Sequence, residues 1–410
     1  MRNLFFLFLF FTSGILAQVK TEKFRQFAVR QDSLFIKAYE QKDIKTYDKL
    51  LNEFLGKYKK LSPDDKKYFS GYLSGAYYNF SCTYSLLDDK SLALNYLKKS
   101  IEAGYLDYWH MQEDSDLDNI RNEKEFKDLN NHLRGIADFL FILKKAGKYN
   151  VSDNRKLPVF TYQSSNDPHL IALRKAFNLD SIAGQGTDVL KILNLLHWIH
   201  NLIPHDGNHE NPVVKNAMSM IKACRQEKRG LNCRGLATVL NECYLALGIK
   251  SRIVTCLPKD SLKIDYDCHV INLVYSDTLK KWLWIDPTNN AYVMDQNGEL
   301  LSIEEVRERI ITDKPVIVNP DANWNNQVVK NKENYLFTYM TKNLYIFECP
   351  VHSEFDMETQ KENKTYEYIR LLPLDYFAQS PDKTEEKNVK KKTTWVTYKT
   401  NNPNLFWQTP

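Results

Sequence analysis

The amino-acid sequence predicts an α+β protein: an α-helical region first, then a helix packed on an antiparallel sheet, and a small β-rich region at the end. Three observations support this order. Apolar residues recur at helical spacing from Lys20 to about Lys148. From Lys250 the apolar period changes to two, which is typical of strands. Between these regions lies a further apolar helix, which begins at Cys233 and is closed by Gly248.

The length of the chain and shifts in its composition indicate several domains. At 410 residues the chain is longer than one ordinary domain, so two or three are expected. A polar, extended stretch with Pro158 and a change of pattern after Pro320 mark the two internal boundaries. We predict a signal peptide at 1–17, an α-helical domain at 18–150, a central domain at 151–318 and a β-rich C-terminal domain at 319–410.

The N-terminus differs in composition from the rest of the chain. Met1-Arg2-Asn3 precedes the apolar run LFFLFLFFTSGILA, and the chain turns polar at Gln18. A positive start, an apolar stretch of ~13 residues and a small residue at the cut site fit a signal peptide cleaved near Ala17. The run is shorter than the ~20 residues of a spanning helix. The sequence therefore predicts a secreted or periplasmic protein of bacterial type, without a membrane span in the mature chain.

Charge and cysteine usage argue against two classes of partner. The formal charge of +5 is small beside 56 basic and 51 acidic residues, and no basic stripe interleaved with aromatics stands out, so we expect no nucleic-acid binding. The seven cysteines include no CxxC pair, so neither a zinc ribbon nor a thioredoxin motif is indicated. His205 and His209 have the spacing of a helical metal pair, but Gly207 and the flanking prolines argue against a helix there. We therefore predict no metal site.

The helical region contains one recognisable pair of helices between Tyr68 and Tyr105. Small and aromatic residues recur at helical spacing up to Cys82, an Asp88-Asp89-Lys90 turn follows, and a second apolar face continues to Ile101. The pair resembles a tetratricopeptide repeat, which implies a helical scaffold that offers a docking surface to a protein partner. A helical cap packed on the next domain is the alternative.

Three residues of the central region have the types and the order that nucleophilic catalysis requires. Cys233 lies at a helix start, after the N-cap candidate Asn232, where unpaired backbone N–H groups and the helix dipole stabilise a thiolate. His269 opens the strand-like stretch CHVINLVY and is a candidate base. Asp286 ends the next such stretch, KWLWIDPT, and an antiparallel pair would bring it beside His269 to fix the imidazole tautomer.

Each of these residues also has a purely structural interpretation. A cysteine at a helix end is commonly buried packing, which is also our interpretation of Cys243 on the apolar face of the same helix. A histidine beside an apolar strand is commonly structural, and an aspartate before a proline commonly starts a turn. The order of Cys233, His269 and Asp286 along one helix and two strands is what favours catalysis.

Three stretches of the central region share motifs with a known family. The run RGLNCRGLATVLNECYLALGIKSRIV, followed by CHVINLVY and KWLWIDPT, resembles the transglutaminase-like superfamily, which shares the papain-like cysteine hydrolase architecture. The residues that carry the resemblance, all between about Leu190 and Thr288, are Cys233, Ala246–Ile249, Arg252, His269 and Trp282–Pro287. Leu231-Asn232 and Val270 depart from the family pattern. The resemblance implies a papain-like or transglutaminase-like core and makes residues 151–318 a catalytic domain.

The resemblance also implies a role for each of three residues and a reaction. Cys233 is the nucleophile, His269 the base and later the acid, and Asp286 the residue that orients the imidazole, with no metal or organic cofactor. The cysteine attacks an amide carbonyl, a thioester forms, and water or an amine resolves it. The backbone N–H of Cys233 is one expected oxyanion donor, and the second is left unassigned. Trp198 and the loop that begins at His205 are candidates for lining the cleft.

The predicted function is that of a secreted cysteine enzyme that hydrolyses amide bonds. The expected substrate is a peptide or protein, or a glycan-linked amide, so a peptidase or amidase is favoured. A protein cross-linking acyltransferase is the first alternative, because the same three residues serve transfer to an amine. A non-enzymatic binding scaffold with the same fold is the second alternative.

Overall fold

A computed structural model of the protein describes residues 8–259 and 267–410, with side chains from Thr21 onward. The chain divides into two compact units, Met1–Asp138 and Phe139–Pro410. Residues 1–7 of the predicted signal peptide lie outside the described residues. In the part of the chain that the structure describes, no helix combines the length and the apolar character needed to cross a membrane.

Among its described residues the first unit contains only helical elements, as the apolar spacing predicted. They are α1 Phe8–Glu40, α2 Ile44–Tyr58, α3 Pro63–Tyr68, α4 Ser70–Leu86, α5 Lys90–Glu102, α6 Tyr108–Glu113, the short 3-10 helix Ser115–Leu117 and α7 Lys124–Ala137. The predicted helix pair is α4 and α5. Asp88 between them has a φ of 61°, and the Asp89 side chain caps α5 by accepting the N–H of Leu92. The tetratricopeptide resemblance and the docking role stay predictions.

The second unit alternates helices and strands before it becomes mostly strands. Its first half contains α8 Phe139–Lys144, β1 Thr161–Tyr162, α9 Pro168–Ala176, α10 Leu179–Ala183, α11 Asp188–Leu202, α12 Ala217–Glu227, α13 Cys233–Ala246, β2 Ser251–Leu257, β3 His269–Ser276 and β4 Lys281–Ile285. Its second half contains β5 Val293–Met294, α14 Ile303–Ile311, β6 Ile317–Val318, β7 Asn323–Trp324, β8 Val328–Val329, a π-helix at Lys332–Met340, α15 Thr341–Asn343, β9 Ile346–Pro350, β10 His352–Ser353, β11 Thr365–Leu371, β12 Lys383–Asn388, β13 Thr393–Thr400 and α16 Pro403–Phe406. The predicted α+β class is confirmed.

Seven strands of the described chain form one mixed sheet in the order β12-β13-β11-β9-β2-β3-β4. Neighbours in this sheet are antiparallel except β11 and β13, which are parallel. Because β9 pairs with β2, four strands of the last hundred residues (β9, β11, β12 and β13) continue the sheet that carries His269.

The division into units therefore differs from the predicted domain boundaries. The structure joins 319–410 to the central region in one unit and divides the chain after Asp138 rather than at residue 150. The physical reason is that without β9 the inner strand β2 would have a row of unpaired backbone N–H and C=O groups. Strand periodicity in a sequence indicates that a strand exists and leaves its partner open.

Helix α13 is the buried centre of the second unit, packed against β2 and β3. Its residues from Gly235 to Ala246 are all buried, including Cys243, in agreement with the prediction for that thiol. Glu242 is fully buried too, and its carboxyl oxygens accept the backbone N–H groups of Ala217 at 2.7 Å and Asp356 at 2.9 Å. Burial raises the pKa of Glu242 to about 8. This side chain ties α13 to the start of α12 and to the segment after β10.

We expect Glu242→Ala to lower the free energy of unfolding of the second unit by about 2–5 kcal/mol, because each buried N–H group that loses its acceptor costs about 1–3 kcal/mol. Glu242→Gln keeps one of the two oxygen acceptors and places a donor NH2 against the other N–H, so it should be destabilising but cost less than Glu242→Ala. Urea unfolding of the full chain, followed by tryptophan fluorescence, measures both variants against the natural protein. Equal losses for the two variants would contradict the anchoring role.

Candidate active site

Three residues that are far apart in the sequence, Cys233, His269 and Asp286, meet in the second unit. Cys233 is the first residue of α13, His269 is the first residue of β3, and Asp286 directly follows β4. The antiparallel pairing of β3 and β4 puts the beginning of one strand beside the end of the other, as expected. His269 Nε2 lies 2.7 Å from Asp286 Oδ2, and both side chains are buried. The His269 imidazole also lies close enough to the Cys233 thiol to lower the pKa of that thiol, so the three side chains interact as one group.

The start of α13 is held in place by two asparagines. The Asn232 side chain caps the helix by accepting the N–H of Gly235 at 3.1 Å, as the sequence predicted. The Asn211 amide donates to Asn232 Oδ1 at 2.7 Å, and Asn211 Oδ1 accepts the backbone N–H of Asn232 at 3.1 Å. A Cβ on Gly235 would lie 2.6 Å from Asn211 Oδ1, so glycine is required for this contact. The N–H of Cys233, at the first helical position, has no intrahelical partner.

A second imidazole, that of His205, lines the same cleft as the Cys233 thiol and helps to lower the pKa of that thiol. The Trp324 indole N–H donates to His205 Nδ1 at 3.1 Å. Because Nδ1 is then an acceptor, the neutral ring carries its proton on Nε2. Asn325 fixes the backbone, since its side chain accepts the N–H of His205 at 2.6 Å and donates to the C=O of His205 at 3.0 Å. These contacts fix the position and the tautomer of His205 in the cleft that Cys233 also lines.

Gly230 allows the segment that carries His205 to approach α13. His205 and Leu231 form a parallel bridge, in which the N–H of Leu231 donates to the C=O of Pro204 at 3.1 Å. A Cβ on Gly230 would lie only 2.3 Å from the carbonyl oxygen of Pro204. Any larger residue would therefore push His205 away from the thiol.

Asp286 uses each carboxylate oxygen for a different purpose. Its Oδ1 accepts the N–H of Thr288 at 2.9 Å, which is the turn expected of an aspartate before a proline. Its Oδ2 accepts from His269, from the Tyr335 hydroxyl at 2.6 Å and from the Asn289 amide at 2.9 Å. Asp286 therefore both starts the turn, through Oδ1, and pairs with His269, through Oδ2.

The π-helix at Lys332–Met340 supplies two aromatic side chains to the site. The Tyr335 hydroxyl donates to Asp286 and accepts the Trp284 indole N–H at 3.0 Å. The Tyr339 ring lies edge-on to the His269 ring, with centroids 5.3 Å apart. π-Helices are rare and are frequently found at functional sites. Sequence reasoning missed both tyrosines, because they lie beyond residue 318, in the region expected to be a separate domain.

The electrostatics of the site favour a thiolate beside an imidazolium. Burial raises the pKa of Cys233, but the hydrogen bonds with His205 and His269 outweigh it and lower that pKa to about 6. Burial lowers the pKa of His269, but the Asp286 carboxylate and Cys233 outweigh it and raise that pKa to about 10. Burial raises the pKa of Asp286, and its interactions with His269 and Tyr335 lower it to about 2. At neutral pH the three groups therefore carry charge.

The thiol opens onto a cleft of ≈ 580 Å³. His205, Trp324, Arg234 and Tyr339 are among the side chains that line it. His205 was a predicted lining residue. Trp198 was the other, and the structure packs it against Phe177 instead, with ring centroids 5.9 Å apart.

A cysteine at the start of a buried helix that packs on an antiparallel sheet bearing histidine and aspartate defines the papain-like α+β class. Residues 175–287 match the family model described as the transglutaminase-like superfamily. This segment, which includes Cys233, His269 and Asp286, is thus a transglutaminase-like domain, and the resemblance drawn from its motifs is confirmed.

One solved structure is similar to part of this chain. A crystal structure of a candidate cysteine protease from Cytophaga hutchinsonii is similar to this chain at 19% identity, with a TM-score of 0.24, over 32% of this chain and 40% of that one. This chain therefore spans less than half of that protein. No curated protein matches the chain.

Iodoacetamide should modify Cys233 selectively near neutral pH. The thiolate fraction rises with pH through the pKa of about 6, so the rate of Cys233 alkylation should be half-maximal there. Burial raises the pKa of the other cysteines, namely Cys82, Cys224, Cys243, Cys256, Cys268 and Cys349. Peptide mass spectrometry across pH 4–9 measures each thiol, and the unfolded chain serves as the control. A Cys233 no faster than Cys349 or Cys243 would falsify the activated thiol.

Trp324→Phe should raise the pH at which Cys233 alkylation is half-maximal by about one unit. The variant removes the donor to His205 Nδ1, so the imidazole is free to adopt the tautomer that gives no hydrogen bond to the thiolate. Trp198→Phe is the matched control, because Trp198 packs away from the cleft. The same alkylation profile measures both variants, and an unchanged midpoint for Trp324→Phe rules out the donor role.

Proposed function

We propose that the protein is a secreted cysteine hydrolase that cleaves amide bonds of peptides or proteins with Cys233, His269 and Asp286. The observation that carries the proposal is the hydrogen-bonded pair of His269 and Asp286 at the open cleft, beside a Cys233 thiol whose pKa the neighbouring imidazoles lower. Ionised groups in a buried site are costly, because each loses its hydration. A binding scaffold does not require ionised groups in a buried site, whereas a nucleophile and its base do. The arrangement thus favours an enzyme over the non-enzymatic alternative.

In the proposed acylation step, the Cys233 thiolate attacks the carbonyl carbon of the amide. The oxyanion that forms accepts hydrogen bonds from the Cys233 backbone N–H and from His205 Nε2–H, which no longer has a thiolate to bind. The His269 imidazolium gives its proton to the departing amine, and a thioester remains on Cys233. Asp286 holds the ring in the required orientation throughout. His205 thus fills the oxyanion role that the sequence left unassigned.

In the proposed deacylation step, the neutral His269 ring accepts a proton from water as the water oxygen attacks the thioester carbonyl. The C–S bond breaks, the carboxylic acid leaves and the Cys233 thiolate and His269 imidazolium are restored. An amine in place of water would give the cross-linking reaction, which is the alternative for this site. The signal-peptide pattern at 1–17 supports secretion of the protein. We further propose that the helical unit binds a protein partner.

Cys233→Ala should abolish turnover of a peptide substrate, and Asp286→Asn should lower kcat by about 10³-fold or more, because the imidazole loses its orienting carboxylate. Cys224→Ala, a matched change at a buried thiol outside the cleft, should keep full activity. Mass spectrometry of products formed with and without a primary amine separates hydrolysis from transfer, and quenched reactions reveal the thioester on Cys233. Turnover by Cys233→Ala contradicts the mechanism, and a cross-linked main product favours the alternative.

A further inference from the structure

The cleft at Cys233 continues into a second cavity. This second cavity has a volume of ≈ 730 Å³, and it shares Glu210, Asn211 and Lys215 with the cleft. Asn211 is the residue whose amide bonds to the cap of α13, so the junction lies directly beside the start of the cysteine helix. Single small-molecule sites measure about 300–1,000 Å³. Two joined cavities of this size therefore fit an extended ligand, with its reacting bond at one end.

Lysines dominate the far part of the second cavity. Lys390, Lys391 and Lys392 form the turn of the hairpin between β12 and β13, and Lys215 lies on the shared wall. The turn is tied to the neighbouring loop, because Lys391 Nζ donates to Gln360 Oε1 at 2.6 Å and Lys392 Nζ lies 2.5 Å from Glu362 Oε1. The ammonium groups are thus presented on an anchored hairpin turn.

The charge of this cavity is positive. Two glutamates, Glu210 and Glu362, line it beside the four lysines. Glu362 is already paired with Lys392, and the Lys391 contact to an amide oxygen leaves its charge in place. A positive cavity joined to a catalytic cleft attracts and orients anionic ligands.

The other lining groups favour a peptide over a polyanionic glycan. Val213 is 87% exposed and lines the second cavity, so it offers an apolar contact that a glycan would not use. Gln360 lines it as well, and its amide NH2 is able to donate a hydrogen bond to a peptide backbone.

We propose that the second cavity binds an acidic segment of a peptide substrate, with the carboxylates at the lysines and the scissile amide at Cys233. The proposal deepens the proposed function and rests on it for the position of the scissile bond. Selectivity for acidic peptides then arises from Lys215, Lys390 and Lys391 rather than from the buried triad.

Binding measured without turnover tests this proposal independently of catalysis. The full chain with Cys233→Ala is titrated into two fluorescein-labelled peptides that differ only in four glutamates replaced by four glutamines, and anisotropy gives Kd. The glutamate peptide should bind more tightly, and added salt should weaken it. Adding Lys390→Glu and Lys391→Glu should raise its Kd at least about tenfold. Lys383→Glu, an exposed lysine of the same hairpin that does not line the cavity, is the matched control and should change Kd less than about twofold.

Several outcomes overturn the proposal: equal binding of both peptides, an unchanged Kd after the double substitution, or an equal loss with Lys383→Glu. Tighter binding of a sulfated polysaccharide than of the glutamate peptide also overturns it in favour of a glycan ligand. Superimposable thermal unfolding curves of the variants establish that any loss of binding is local. Failure of the proposed function alone gives a different result. The glutamate peptide would then bind through the lysines, but the chain with Cys233 intact would not cleave it.

Discussion

The buried ion pair between His269 and Asp286 is the interaction on which the site depends. Charges out of water are stable only when hydrogen bonds replace their hydration, because the desolvation penalty of a buried pair can exceed the attraction between its members. Asp286 therefore needs the turn amides after β4, the Asn289 amide and the Tyr335 hydroxyl at once. The register of β3 on β4 and the position of the π-helix both follow from this requirement. The Asp286 carboxylate held in this way is the largest interaction that raises the pKa of His269.

The second unit cannot be divided at residue 318, because residues after that position complete the site. The π-helix brings Tyr335 to the aspartate, while Trp324 and Asn325 hold the second imidazole, His205, at the thiol. β9 covers the inner edge of β2, the strand that pairs with the strand of His269. The C-terminal strands therefore stabilise the sheet and its terminal hairpin supplies the lysines of the second cavity.

The sequence predicts those features of the site that depend on local signals, namely the periodicity and the boundary residues of single helices and strands. Cys233, His269 and Asp286 each lie at the end of an element whose period and boundary residues are visible in the chain, so their meeting could be predicted once the strands were taken as antiparallel. The contacts of His205 and Tyr335 depend on partners 119 and 49 positions away, and neither residue has a local pattern that marks it. Sheet order was missed for the same reason, since strand periodicity does not specify the neighbour.

Two sets of charges serve the proposed reaction, and they differ in their exposure to water and therefore in their sensitivity to salt. His269 and Asp286 are buried, so dissolved ions screen them little, and the ionisation of Cys233 is favoured by the neighbouring imidazoles of His205 and His269. Lys390 and Lys391 are exposed and act on a ligand through solvent, where the Debye length is about 8–10 Å at physiological salt. Ionic strength therefore changes the affinity for an acidic peptide while the reactivity of the thiol stays constant. Substrate choice and thiol activation thus rest on physically independent charges, so one can change without the other.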